Sequence, residues 1–177
     1  MERLSDAVTP PGIVAVVETP GTQLMPPASG HLLVLDGVSD PGNVGTLIRS
    51  ATAFGAAVVS VGGADPFGPK AVRASAGTCY SASIHRLDER ASVLTEIRGD
   101  GRFVLGLTAD GGTTLDAIRS EVPAVGVALV VGSEPHGLSL SVRSTIDAGV
   151  RIPMAEAVES LNVAAAGAIA MYALMSA

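Results

Sequence analysis

Short continuous apolar runs alternate with amphipathic stretches along this 177-residue chain. Ile13–Val17, Leu32–Leu35, Val58–Val61, Ala82–His85, Phe103–Leu107, Val125–Val131 and Val150–Ile152 are rich in β-branched and aliphatic residues. Most are bounded by Gly, Pro or Asp, and each predicts a strand. Unbroken apolar runs, rather than strict alternation, fit strands covered on both faces, as in a parallel sheet. Between the runs the period changes. Val44, Leu47, Ile48, Ala51 and Phe54 recur at helical spacing, with Asn43 placed to cap the helix and Gly55 to stop it. Lys70–Ala76, Leu87–Arg98, Leu115–Arg119 and Ser139–Asp147 predict further helices. The alternation implies an α/β fold: a mostly parallel sheet with helices on both faces. Residues 13–177 read as one domain, and residues 1–12, ending in a Pro-Pro step, as a tail or linker.

The last stretch differs from the rest. After Pro153 stops the final strand, Met154–Ser160 forms a loop, and from Leu161 to Met175 the chain is nearly all apolar and rich in Ala. Ser160 sits where an N-cap is expected, its hydroxyl within reach of the first-turn amides. A helix apolar on every side must be buried on every side. This one predicts a place in the core and against a second copy of the chain. It is too short to cross a membrane.

Composition narrows the classes. Hydrophobic residues make up 47% and charged residues 16%, which suits a globular domain and not a disordered one. Cys79 is the only cysteine, so an internal disulfide and a cysteine-rich metal site are both excluded. No basic stretch precedes an apolar run at the N-terminus, and a cytoplasmic location is expected. The net charge of −6 counts against a free-standing nucleic-acid binder, because phosphate contacts need a basic surface. Lys70 is the single lysine, so any grip on RNA rests on a few focused arginines or on another domain.

The polar residues that need explaining follow strands. Asp36–Asn43, Thr108–Gly112, Gly132–Gly137 and Pro153–Asn162 all lie where ligands gather in open α/β sheets, at the carboxyl ends of strands. In the second of these, two glycines permit close approach of backbone to a ligand. Glycine-rich dinucleotide and triphosphate motifs are missing. Glu134 directly follows the most apolar strand, where a carboxylate needs a partner, and Arg49 is a candidate. His31, His85 and His136 do not assemble a catalytic set, and the spacing of carboxylates and histidines suggests no metal.

Three segments together carry a resemblance. Asn43–Arg49 (N-V-G-T-L-I-R), Gly132–Ser139 (G-S-E-P-H-G-L-S) and Arg151–Ala164 (R-I-P-M through E-S-L-N-V-A) resemble, in order, the three motifs of the SpoU/TrmH family. These are the RNA ribose 2′-O-methyltransferases of the SPOUT superfamily. The resemblance runs from about Ile13 to the C-terminus. It implies a C-terminal trefoil knot, a homodimer, and S-adenosylmethionine bound in the knot near the subunit interface. By motif, Asn43, Arg49, Glu134, Ser160 and Asn162 match the functional positions. Thr108, Ala109, Gly132, Ser133, Glu134, Gly137, Ile152, Met154, Ser160, Leu161 and Asn162 match the cofactor cradle. Arg49 would position the ribose-phosphate or accept its proton, oriented by Glu134 and Asn43, while Ser160 and Asn162 would contact cofactor or ribose. The implied substrate is RNA, ribosomal rather than transfer RNA. Many members carry an extra N-terminal RNA-binding domain, and here residues 1–12 resemble the linker to it. Two other readings remain at this point: a catalytically silent knotted dimer serving ribosome assembly, and a flavodoxin-like nucleotide binder.

Overall fold

The computed structural model describes residues 15–20, 26–87, 90–110, 112–134 and 136–176. Its elements run β1 (Leu32–Asp36), α1 (Pro41–Ala53), β2 (Ala57–Val61), α2 (Pro69–Ala74), β3 (Ile84–Leu87), α3 (Arg90–Gly99), β4 (Phe103–Leu107), β5 (Thr113–Thr114), α4 (Leu115–Ile118), β6 (Val127–Gly132), α5 (Leu140–Arg143), β7 (Ala148–Arg151) and α6 (Val163–Met175). The strands form one seven-stranded sheet in the order β3-β2-β1-β6-β4-β7-β5. Every pairing in it is parallel.

Side-chain alternation builds a core on each face. Leu33 and Leu35 of β1, with Val127, Leu129 and Val131 of β6, pack with α1, α4 and α6. Leu32 and Val34, with Ala128 and Val130, pack on the other face with Val93, Leu94 and Ile97 of α3 and Val142 of α5. This is why the central strands read as unbroken apolar runs: both faces are dry. The implied knot fits an order in which β7 inserts between β4 and β5 and α6 returns to pack on α1 and β6.

Three expectations about the elements need correction. The run Ile13–Val17 is not a strand where it is described: Ala15–Val17 have no regular structure, and Val16 is 99% exposed. Residues 1–14 lie outside the described residues. Helix α1 is capped by Asp40, whose side chain accepts from the Asn43 amide at 2.9 Å, with Pro41 preset for the first turn. Asn43 is therefore free for other work. The predicted helix Ser139–Asp147 shrinks to Leu140–Arg143, because Asp147 is drawn to β4, accepting from the Val104 amide at 2.9 Å. Within the chain α6 buries one side, through Ala164, Gly167, Ala170, Met171, Leu174 and Met175, and leaves the other open. Ile169 and Tyr172 remain 44% and 67% exposed. The close fit of α6 on α1 requires Gly167, where a Cβ would stand 2.5 Å from the Leu47 side chain.

Candidate functional site

The chain ends of β4, β6 and β7 bring three loops around one cavity of about 400 Å³. All eleven residues of the expected cradle line it: Thr108, Ala109, Gly132, Ser133, Glu134, Gly137, Ile152, Met154, Ser160, Leu161 and Asn162. Leu107, Val131, Val163 and Ala166 complete the wall and were not singled out from sequence, since they read as ordinary core positions. The walls are thus mostly aliphatic, with Thr108, Ser133, Glu134, Ser160 and Asn162 as polar groups.

Each loop is held by backbone bonds that its sequence makes possible. The Gly132–Gly137 turn closes on itself, the Ser133 amide donating to the Gly137 carbonyl at 3.1 Å and the Gly137 amide to Ser133 at 2.8 Å. That closure admits only glycine at position 132, where a Cβ would stand 2.1 Å from the Gly137 carbonyl carbon. Beyond the turn, buried Asp36 at the end of β1 accepts from the Ser139 amide at 2.7 Å. Asp36 was missed as a site-shaping residue; a carboxylate ending an apolar strand was the available signal. The loop after β4 is tied to β7 by the Thr108 amide, which donates to the Val150 carbonyl at 2.9 Å. Gly112 does not reach toward a ligand: its close approach is to the Gly149 backbone, 2.4 Å from where a Cβ would lie.

A relay of side-chain amides connects the three motifs at the mouth of the cavity. Asn162, not Ser160, caps α6: its Oδ1 accepts from the Ala164 and Ala165 amides at 2.9 and 3.3 Å. Backbone N–H groups can only donate, so the Asn162 oxygen is fixed and its Nδ2 must point away. That Nδ2 donates to Asn43 Oδ1 at 3.0 Å. Asn43 in turn must offer its own Nδ2, which donates to Glu134 Oε1 at 2.8 Å. Ser39 Oγ donates to Glu134 Oε2 at 3.3 Å. Helix cap, first helix and site loop therefore share one polarity, ending on a carboxylate. Partial burial pushes the Glu134 carboxyl up. Hydrogen bonds from the Asn43 side chain, its own backbone and Ser39 outweigh this and hold it below the ordinary glutamate value.

The expected pairing of Glu134 with Arg49 does not form. Arg49 is exposed on α1, makes no hydrogen bond or ion pair among the described residues, and lies outside the cavity wall. Asn43, six residues earlier and on another side of the helix, takes the place assigned to it. Ser160 lines the cavity with its hydroxyl unbonded within the described residues. Four of the five motif residues are thus brought together, and Arg49 is not. No group of three or more potential metal ligands occurs among the described residues, and no described helix is long and apolar enough to cross a membrane.

Residues 30–172 match the model of the SpoU rRNA Methylase family. The chain belongs to this family. It is 40% identical over 142 residues to an uncharacterized tRNA/rRNA methyltransferase of Mycolicibacterium vanbaalenii, covering 79% of this chain and 44% of that protein. The chain therefore spans less than half the length of that relative. The 23S rRNA (guanosine(2553)-2′-O)-methyltransferase RlmP of Bacillus subtilis is 34% identical over 174 residues, 97% of this chain and 67% of RlmP. Among solved structures, an AdoMet-bound rRNA methyltransferase from Sinorhizobium meliloti superposes with a TM-score of 0.76 at 32% identity. The match covers 86% of this chain and 60% of that one. The SpoU fold thus stands on sequence, geometry and likeness together.

Proposed function

We propose that this SpoU-family chain is the catalytic domain of an S-adenosylmethionine-dependent methyltransferase that modifies a ribose 2′-hydroxyl of RNA, ribosomal RNA foremost. The observation that carries the reading is the relay Asn162–Asn43–Glu134, which assembles all three motifs at the mouth of the cavity. A structural cap for α6 needs only Asn162; extending it through Asn43 to a carboxylate serves chemistry outside the helix.

The cavity suits the cofactor on chemical grounds. Leu107, Val131, Ile152, Leu161 and Val163 offer an apolar slot for an adenine ring, walled by loop backbone able to meet its polar edge. Glu134, kept ionised, supplies negative charge beside a group bearing a positive sulfonium. When bound there, S-adenosylmethionine supplies the electrophilic methyl group. The protein's contribution is to place the accepting hydroxyl and handle its charge. Ser160 and Asn162 line the side on which the ribose would enter, and Glu134 Oε2, which meets the Ser39 hydroxyl at 3.3 Å, is the oxygen assigned to a substrate hydroxyl. Arg49 is assigned to the ribose-phosphate as a fixed positive charge, since a guanidinium holds its proton too firmly to serve readily as a base.

Four further features belong to the same reading. The open side of α6, with Ile169, Tyr172 and the Phe54 ring packed edge-on against Tyr172 at 6.2 Å, is assigned to a homodimer. The trefoil threading and a cytoplasmic location are assigned with support from the family likeness, and an additional RNA-binding domain with support from the acidic charge. The test is methyl transfer from labelled S-adenosylmethionine to ribosomal RNA, followed by nuclease digestion and nucleoside analysis. Label in a 2′-O-methylnucleoside is expected; label confined to a base would refute the assignment.

A further inference from the structure

One edge of the sheet is locally basic in this acidic chain, with four of its eleven Lys and Arg residues and few acids. From Pro41 to Leu87, the span of α1, β2, α2 and β3, there are four cations (Arg49, Lys70, Arg73 and Arg86) and a single carboxylate, Asp65. That span is net +3 in a chain of net −6, so the remainder carries −9. Strands β3 and β2 are the outermost pair on their side of the sheet. The loop leaving β2 opens at the carboxyl end, the end that also carries the cavity. The basic edge is continuous with the site through Lys70. Its Nζ meets Asp40 Oδ2 at 2.6 Å, and the other oxygen of Asp40 accepts from the Asn43 amide.

Two of the five aromatic residues of the chain lie on the same edge. The Phe67 and Tyr80 rings sit 6.4 Å apart, inclined at 44°, and Tyr80 is 45% exposed. Asp65 orders this loop: its Oδ1 accepts from the Phe67 amide at 3.1 Å and from Arg86 Nη1 at 3.3 Å. The only acid of the span is therefore occupied with scaffolding. Between Arg73 and Tyr80 the chain turns through Ala76 at φ +52° and Gly77 at φ +81°. A non-glycine residue in that region is strained, and such strain collects where a loop must present a side chain in one place. The Arg73 guanidinium makes no hydrogen bond or ion pair among the described residues. Lys70–Asp40 and Arg86–Asp65 join half-exposed groups, so phosphate can replace either carboxylate at little cost.

Resting on the RNA methyltransferase reading, we propose that this edge is where substrate RNA is tracked into the site. A single-stranded segment stacks a base on the Phe67–Tyr80 pair, sets its phosphates on Lys70, Arg73 and Arg86, and delivers a neighbouring ribose to Asn43 and Glu134. An unpaired strand fits better than a duplex because stacking on a protein ring needs a free base face. The patch resolves the conflict between an acidic chain and a polyanionic substrate: the attraction is local, and the acidic remainder repels RNA elsewhere.

The test uses the folded full chain and a short, fluorescein-labelled, mixed-sequence single-stranded RNA, with anisotropy read across a salt series. Tyr80→Ala should weaken binding about tenfold, as for loss of one stacked base, and Tyr80→Phe should not. The Lys70→Gln, Arg73→Gln, Arg86→Gln triple variant should lower the salt slope by about 2, since each single-strand phosphate contact contributes about 0.7. Arg119→Gln, outside the basic span, should leave the slope unchanged. S-adenosylmethionine binding, read by calorimetry, should be the same in all of them. Wild-type RNA affinity and slope in the Tyr80→Ala and triple variants, with cofactor binding intact, would overturn this inference and leave the methyltransferase reading standing. So would a duplex of equal length bound as tightly as the single strand. A folded wild-type chain that bound neither RNA nor cofactor would overturn both.

Discussion

Replacing Asn162 separates the two roles the relay gives it. Asn162→Ala removes the acceptor for two α6 amides and the donor to Asn43. Loss of an N-cap side chain costs about 1 kcal/mol. The bond to Asn43 joins exposed groups, so its removal adds roughly 0.5 kcal/mol, the low end for a hydrogen bond. For a domain of this size a loss of about 1.5 kcal/mol lowers the melting temperature by roughly 3–6 °C. Asn162→Asp retains the cap, and a negative charge at a helix N-terminus is itself favourable, so its melting point should stay near wild type. It abolishes the donor, however. The Asn43 amide would then turn its Nδ2 toward the newly introduced carboxylate and present its oxygen to that of Glu134, breaking the third link. Scanning calorimetry should therefore rank wild type and Asn162→Asp together above Asn162→Ala. Methyl transfer should fall in both variants. Equal destabilisation by the two substitutions, or full activity in Asn162→Asp, would refute the relay.

Other consequences follow from neighbouring groups. Glu134 has a depressed pKa, so its ionised form persists through neutral pH. Cofactor affinity should be flat there, falling only on the acid side of the ordinary carboxylate range, and Glu134→Gln should weaken binding while remaining folded. His31 is lowered by burial and then by the Arg102 charge, and its Nδ1 accepts from the Val127 amide at 3.3 Å. Its neutral form stabilises the fold above the unfolded histidine value of about 6.5, and that stability is lost as pH falls through the lower folded value. The melting temperature should accordingly drop on acidification below about pH 6.5, and His31→Gln should flatten that slope. Tyr172→Arg on the open side of α6 should give monomer in analytical ultracentrifugation; a wild-type monomer would remove the proposed dimer.

Much of the fold was legible because burial on both faces writes β1, β2, β4 and β6 as short apolar runs rich in β-branched and aliphatic residues and bounded by turn residues, while α1 carries a helical period. The failures have local causes. Thr113–Thr114 makes a strand too short to carry a period. Ile13–Val17 has strand composition, yet the described part finds no neighbour in the sheet. Both cap assignments slipped along candidate polar residues: Asp40 stands three positions before Asn43, and Asn162 two after Ser160, and composition alone does not say which one meets the amides. The site suffered from the same ambiguity. Motif spacing gathered the loops that line the cavity, but Arg49 was preferred over Asn43 as the partner of Glu134 because opposite charge is the simplest remedy for a carboxylate. Which side of α1 faces the loop is decided by Leu47 and Gly45 packing on α6 and α2, a tertiary fact.

Calorimetric titration with S-adenosylmethionine decides whether the three-loop cavity holds that compound. Wild-type chain should bind one equivalent. Ala166→Leu, which projects into the cavity from α6 without touching the relay, should bind it at least about tenfold more weakly, as loss of roughly 1.4 kcal/mol implies. Absence of heat with folded wild type, or unchanged affinity in Ala166→Leu, would contradict the placement of the cofactor in this cavity.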